Sequence, residues 1–201
     1  GDFLVAVDAL RTLLGCQGHV WPVSLDKSSI CAEYESGQRT SGEVEVDAAQ
    51  LEGGRVTRVW LEPEATMHPA VGEAIRGFDA VVIGPGSFYT SIMPPLLVRG
   101  VAEAIAAVKG PVILIANLLT EGRGMDGFTA ADAVTQVSQT IGRRVDAVMV
   151  NTGRPPDAVL ARYTVEHKAI LPLGDVPAGC EVIEADFWLR EIARHDRWRL
   201  A

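Results

Sequence analysis

The chain has 201 residues, of which 48% are apolar, 22% charged and 6% aromatic, a balance that excludes disordered and fibrous architectures. Eighteen basic against 26 acidic residues leave a formal charge of −8. That argues against nucleic-acid and anionic-membrane partners, which call for a basic footprint, so any anionic ligand must be held by a local arrangement.

A chain of this length buries roughly 70% of its unfolded surface and needs no covalent staples. The three cysteines, Cys16, Cys31 and Cys180, are far apart and form no CxxC pair. They read as small buried apolar groups in a reducing, cytoplasmic compartment. The longest apolar runs, such as 80–83 and 112–116, are strand-length and too short to cross a bilayer. No signal peptide is visible, and the opening at Gly1 suggests a processed product or a piece of something longer.

In chain order, residues 2–14 read as a helix capped by Asp2, with Phe3, Val7, Leu10 and Leu14 on one face and Gly15 as the stop. Between about 19 and 63 the composition turns to short strands at 19–23, 29–35, 42–46 and 55–61. Turn-formers such as Ser36-Gly37 and Gly53-Gly54 separate them. This spacing predicts antiparallel hairpins, a small sheet inserted beside the main body.

From 64 onward the pattern alternates. Helices are expected at 68–76, 96–108, 130–141 and 157–163, and a last one from Asp186. Buried strands are expected at 80–83, 112–116 and 145–150, with others near 169–171 and 181–183. Continuous Val/Ile/Leu runs alternating with helices predict a parallel sheet covered on both faces. The fold class is α/β, a three-layer Rossmann-like, mainly parallel sheet with an antiparallel β insertion, organised as one incomplete domain over 1–201. Helix 96–108 shows no separate interface stripe, which leaves a homo-oligomer open.

Ligands of open parallel sheets bind beyond the carboxyl ends of the strands. The first such end carries Gly84-Pro85-Gly86-Ser87-Phe88-Tyr89-Thr90-Ser91. Its glycines permit close backbone approach and its hydroxyls suit phosphate oxygens, although a merely tight turn explains the composition as well. No Lys follows the glycines, so it is neither a Walker A loop nor GxGxxG. At the second end, Asn117 can donate and accept, which suits a base edge or sugar hydroxyl, and it is equally an ordinary turn residue. Thr129 and Asp132 fit a helix-capping pair. The third end, Asn151-Thr152-Gly153, carries no charged group.

In the tail, Tyr163 could stack on a flat ring or pack as a half-buried aromatic. Arg190 and Arg194 would lie one turn apart on the last helix, either binding phosphate or complementing the helix dipole. The four histidines show no metal-ligand spacing. His195-Asp196 would diverge as helical neighbours, and no GxSxG elbow is present. No nucleophile–base pair emerges.

The stretch from Gly84 to Val98, Gly-Pro-Gly-Ser-Phe-Tyr-Thr-Ser-Ile-Met-Pro-Pro-Leu-Leu-Val, resembles the signature of the bacterial YvcK-like proteins (gluconeogenesis factor, UPF0052). These are relatives of the 2-phospho-L-lactate transferase CofD. Gly1-Asp2-Phe3, Asn117, Phe128-Thr129-Ala130-Ala131-Asp132, Val150-Asn151, Tyr163 and Arg194-His195-Asp196 extend the similarity along the whole chain. Thr120-Glu121 stands where Thr-Gln is usual. The chain looks like the C-terminal two-thirds of such a protein, without the Gly-rich N-terminal part.

The resemblance implies a Rossmann-like protein that binds UDP-sugars such as UDP-N-acetylglucosamine and serves cell-wall precursor supply, cell shape and growth on gluconeogenic carbon. Tyr163 and Arg194 match positions associated with UDP-sugar binding. Gly84, Pro85, Gly86, Ser87, Tyr89, Thr90, Ser91, Asn117, Thr129 and Asp132 match motif positions expected to line the cleft. Two alternatives stay open: a CofD-like transferase acting on a deazaflavin acceptor, with Mg2+ near Asp132 or Asp126, and an inert fragment. No cofactor is assigned to the binding reading.

Overall fold

The computed structural model describes residues 3–49 and 54–200; the predicted Asp2 cap and Gly53 lie outside them. Helix α1 (Phe3–Leu13) forms where expected, but its apolar residues are not buried: Phe3, Leu10 and Leu14 are all exposed. The segment 19–23 is an extended tether rather than a strand, and the Val23 carbonyl accepts the amide of His68.

The antiparallel insertion consists of β1 (Ser29–Tyr34), β2 (Arg39–Ser41) and β3 (Val56–Glu62), in the order β2-β1-β3. The predicted strand at 42–46 is instead helix α2 (Glu43–Ala49). Val44 and Val46 would share one face of a strand, but on a helix they point well apart. Accordingly Val44 is 75% exposed and Val46 fully buried, and the Tyr34 hydroxyl donates to the Val46 carbonyl at 3.0 Å.

The rest alternates as expected. After α3 (Pro69–Arg76) comes β4 (Val81–Ile83), then a π-turn (Phe88–Ile92) that runs into α4 (Met93–Leu97). Next follow α5 (Val101–Ala106), β5 (Val112–Ile115), α6 (Ala130–Ile141), β6 (Ala147–Asn151), α7 (Asp157–Thr164) and β7 (Glu181–Ala185). The four strands form one parallel sheet in the order β4-β5-β6-β7. The helix expected over 96–108 is broken at Val98–Gly100, because Gly100 takes φ +98° and Arg99 bridges to Thr66.

Ile83, Val112, Leu114 and Val148 share one sheet face and pack under α3, α4, α5 and α6 in the main core. On the other face, edge residue Val82 is 59% exposed, so the coverage expected on both faces does not extend to the β4 edge. At the opposite end of the sheet from the site, Arg143 bonds the carbonyls of Val108 and Gly110 and pairs with Asp146 at 3.0 Å. Asp146 also accepts the Val112 amide at 2.9 Å, and that bond above all lowers its pKa.

Residues 169–171 form a single bridge between Leu119 and Ile170 instead of a strand. The last predicted helix is also absent from Asp186 onward. Phe187 and Trp188 turn inward, Trp188 bridges back to His195, and only α8 (Arg197–Leu200) is helical. Arg190 and Arg194 therefore do not sit one turn apart on a helix face. Cys16 is exposed, contrary to expectation, whereas Cys31 is buried. No helix among the described residues is long and apolar enough to cross a membrane.

Candidate functional site

The exits of β4 and β5 and two pieces of the tail surround one open cavity of about 500 Å3. At the first exit Gly84 has φ +88°, and a Cβ there would come 2.9 Å from the Ile115 carbonyl oxygen. Glycine is thus demanded by the close approach to β5. Pro85, Gly86 and Ser87 then line the cavity before the chain winds into the π-turn.

That wide turn sends Phe88, Tyr89 and Ile92 into the core. Tyr89 packs edge-on against Phe88 and Phe128, and burial pushes its phenol pKa up. It does not line the cavity. Neither do Thr90, whose hydroxyl donates to Ser87 Oγ at 2.7 Å, or Ser91, which lies behind Gly86.

The second exit contributes residues 117–121 as a wall. Thr120 makes three hydrogen bonds with the backbone of Ala169, and the Leu171 amide donates to the Leu118 carbonyl. This strap explains the fate of the expected strand at 169–171, and it brings Lys168 to the cavity. Lys168 also pairs with Glu166 at 2.7 Å.

Glu121 is the acidic residue of the site. Its Oε2 accepts the Phe88 amide at 2.8 Å and the Ser87 hydroxyl at 3.1 Å, while Oε1 receives a longer contact from Asn117 Nδ2 at 3.4 Å. Burial raises the carboxyl pKa, against the lowering effect of the bonds from Phe88 and Ser87.

The tail closes the third side. Tyr163, near the end of α7, accepts the Ala193 amide on its hydroxyl at 2.8 Å, next to Arg194. His195 Nε2 lies 3.2 Å from the Ala116 carbonyl. A carbonyl can only accept, so Nε2 carries the proton. Burial lowers the imidazole pKa and favours the neutral ring. Among the described residues, the Arg194 guanidinium has no hydrogen-bond or ion-pair partner, and Arg197 sits over the Trp198 ring at 4.9 Å. Among the described residues, the cavity lining therefore carries three cationic side chains and one carboxylate, the reverse of the chain's overall −8 charge.

The cavity brings together Pro85, Gly86, Ser87, Asn117, Tyr163 and Arg194 of the expected set. Thr129 and Asp132 are elsewhere, as a reciprocal capping box at the start of α6: the Asp132 amide donates to Thr129 Oγ1 at 3.1 Å, and Asp132 Oδ2 accepts the Thr129 amide at 2.8 Å. Asn151 bonds Gly153 and the Phe187 amide, fastening the tail to the sheet. Sequence reasoning missed Glu121, Lys168, His195 and Arg197 as lining residues. Arg197 was legible only as part of an expected helix, and His195 only as the middle of the Arg194-His195-Asp196 match.

Magnesium does not fit the residues present. Asp132 is committed to its cap, Asp126 is exposed, and among the described residues Glu121 is the single acidic side chain on the cavity wall. No cluster of three or more metal-ligating side chains occurs among the described residues.

Residues 1–188 match the family described as 2-phospho-L-lactate transferase CofD. The gluconeogenesis factor of Listeria monocytogenes is 34% identical over 207 residues, covering the whole chain and 62% of that protein. The gluconeogenesis factor of Bacillus subtilis is 32% identical over 208 residues, covering the whole chain and 65% of that protein. A crystal structure of a UPF0052 family member from Bacillus halodurans superposes with a TM-score of 0.89 at 31% identity, over the whole chain and 65% of that structure. The chain thus spans less than two thirds of the length of these relatives. It belongs to the CofD family, and its gluconeogenesis-factor (UPF0052) relatives match it from end to end.

Proposed function

We propose that the cavity binds a nucleoside diphosphate sugar of the UDP-N-acetylglucosamine type. In this reading the chain is the binding part of a regulatory protein linked to cell-wall precursor supply, cell shape and growth on gluconeogenic carbon. The supporting observation is the convergence of Ser87, Asn117, Tyr163 and Arg194, which are far apart in sequence, on one cavity with Lys168 and Arg197. Its volume lies within the roughly 300–1,000 Å3 of small-molecule sites. Tyr163 offers a ring for the base, Asn117 an amide for polar edges, and the cations a seat for the diphosphate.

A second reading, a CofD-type transferase with a deazaflavin acceptor, draws support from the family match over residues 1–188. Phosphoryl-type transfer relies on positioned anion-stabilising groups more than on a nucleophilic side chain.

Thermal unfolding with UDP-N-acetylglucosamine, UDP and GDP tests the first reading. Ligand at a hundredfold over its dissociation constant should stabilise the chain by about 2.7 kcal/mol. A shift lost in Arg194→Ala supports the site, and no shift with any of the three rejects it. Turnover of a lactyl-phosphate donor with a deazaflavin would replace it by the second.

A further inference from the structure

The glycine-flanked loop was expected to let a ligand approach its backbone and to offer hydroxyls to phosphate oxygens. In the structure the donors at its head are already taken: the Phe88 amide and the Ser87 hydroxyl both bond Glu121 Oε2. The carboxylate stands where an incoming anion would otherwise bond. Thr90 donates to Ser87 Oγ as well, so the Ser87 hydroxyl is fixed with its proton toward Glu121.

We propose that Glu121 sets the orientation and specificity of the ligand: it bars phosphate from the Ser87–Phe88 end of the cavity and accepts hydroxyl donors there, which sends the phosphates to Lys168, Arg194 and Arg197. The inference rests on the nucleoside diphosphate reading above and deepens it. Two facts carry it. Among the described residues, Oε1 has only the 3.4 Å contact from Asn117, which leaves lone pairs for a hydroxyl. The cations lining the cavity lie on segments other than the two strand exits: Lys168, which also pairs with Glu166, and on the tail Arg197 and Arg194, the last with no partner among the described residues. The ligand class that fits is polar at both ends but anionic at one, a nucleoside diphosphate carrying a neutral polyhydroxyl group. A nucleoside triphosphate, whose third phosphate would meet the carboxylate, does not fit.

The test measures UDP-N-acetylglucosamine and UTP binding to the wild type, Glu121→Gln and Glu121→Ala by isothermal titration, with each variant's folding checked by its thermal transition. Gln keeps an oxygen for the Phe88 amide and removes the charge; Ala frees the Ser87 and Phe88 donors altogether. The wild type is expected to prefer the sugar nucleotide, and both variants to gain about tenfold or more for UTP, as removing one like charge at close range predicts. The preference should shrink or invert. An unchanged ratio in both variants overturns the role of Glu121 while leaving the nucleotide reading intact. If the wild type binds neither probe but a variant binds UTP, the nucleotide-sugar reading fails and the exclusion role stands. No binding by any of the three proteins overturns both.

Discussion

The phenol oxygen of Tyr163 accepts the amide of Ala193 at 2.8 Å, and through that bond α7 holds the tail segment that carries Arg194. The two residues implicated by the resemblance are thereby coupled in one substructure. Leu118, Leu119, Val159 and Trp188 pack beneath them as a separate apolar cluster.

Tyr163→Phe keeps the ring and removes the acceptor. The lost bond costs about 0.5–1.5 kcal/mol locally. The expected outcome is faster hydrogen exchange at the Ala193 amide and weaker nucleotide binding, with a smaller loss than in Tyr163→Ala, which removes the ring as well. Equal binding by wild type and Tyr163→Phe would mean that the bond does not hold Arg194 for the ligand.

Arg194→Ala removes a guanidinium with no partner among the described residues, so global stability should change by less than about 0.5 kcal/mol. Nucleotide affinity should fall at least tenfold, and its salt dependence should flatten. Titrations at two ionic strengths check both expectations. Arg194→Lys should recover only part of the affinity, because an ammonium lacks the planar fork.

Glu121 also has a consequence for stability without ligand. Its folded pKa is raised by burial, so the folded state binds its proton more tightly than the unfolded state does. That contribution is fully present below the unfolded carboxyl value and is lost as pH rises through the raised folded value. Glu121→Gln should therefore match or exceed the wild type at pH 8, with the gap closing toward acid. Denaturant melts across that range measure it, and a gap that widens toward acid would contradict the assignment.

Asp146 behaves oppositely. Its pKa is lowered by the Val112 amide and by Arg143, so its contribution is present above the unfolded value and disappears as pH falls through the depressed folded one. Asp146→Ala should cost about 1–3 kcal/mol at neutral pH by stranding the Val112 amide. The difference from wild type should hold between pH 5 and 8 and shrink below about pH 4. Chemical denaturation at several pH values checks this.

Thr129 provides the contrast within the family motif. Because it caps α6 rather than lining the cavity, Thr129→Ala should cost about 1 kcal/mol of stability and leave nucleotide affinity unchanged. A selective loss of binding in a fully folded variant would return Thr129 to the site.

The parallel sheet was legible because 80–83, 112–116 and 145–150 are continuous apolar runs between periodic helices, and α6 because Thr129 and Asp132 mark its start. The misreadings share a cause: local pattern was overridden by contacts distant in sequence. Alternating Glu-Val-Glu-Val suggested a strand, but Gly42 at φ +106° turns the chain into α2, and Tyr34 receives Val46 as the buried residue. Phe187 and Trp188 read as helical, but burying both folds the tail back on itself. At the site, the glycine loop could be named because a long motif carried it, and Asn117, Tyr163 and Arg194 because shorter matches extended that resemblance along the chain. Glu121 could not, because a lone carboxylate in a loop has no spacing to betray it, and its role arises only when β4 and β5 lie side by side.

The most direct measurement is a crystal structure of this chain with UDP-N-acetylglucosamine. The account predicts density in the cavity, with the diphosphate within hydrogen-bond reach of Arg194, the base against Tyr163 and a sugar hydroxyl on Glu121. Saturated crystals with that cavity empty, or with the diphosphate bonded to the Phe88 amide in place of Glu121, would contradict it.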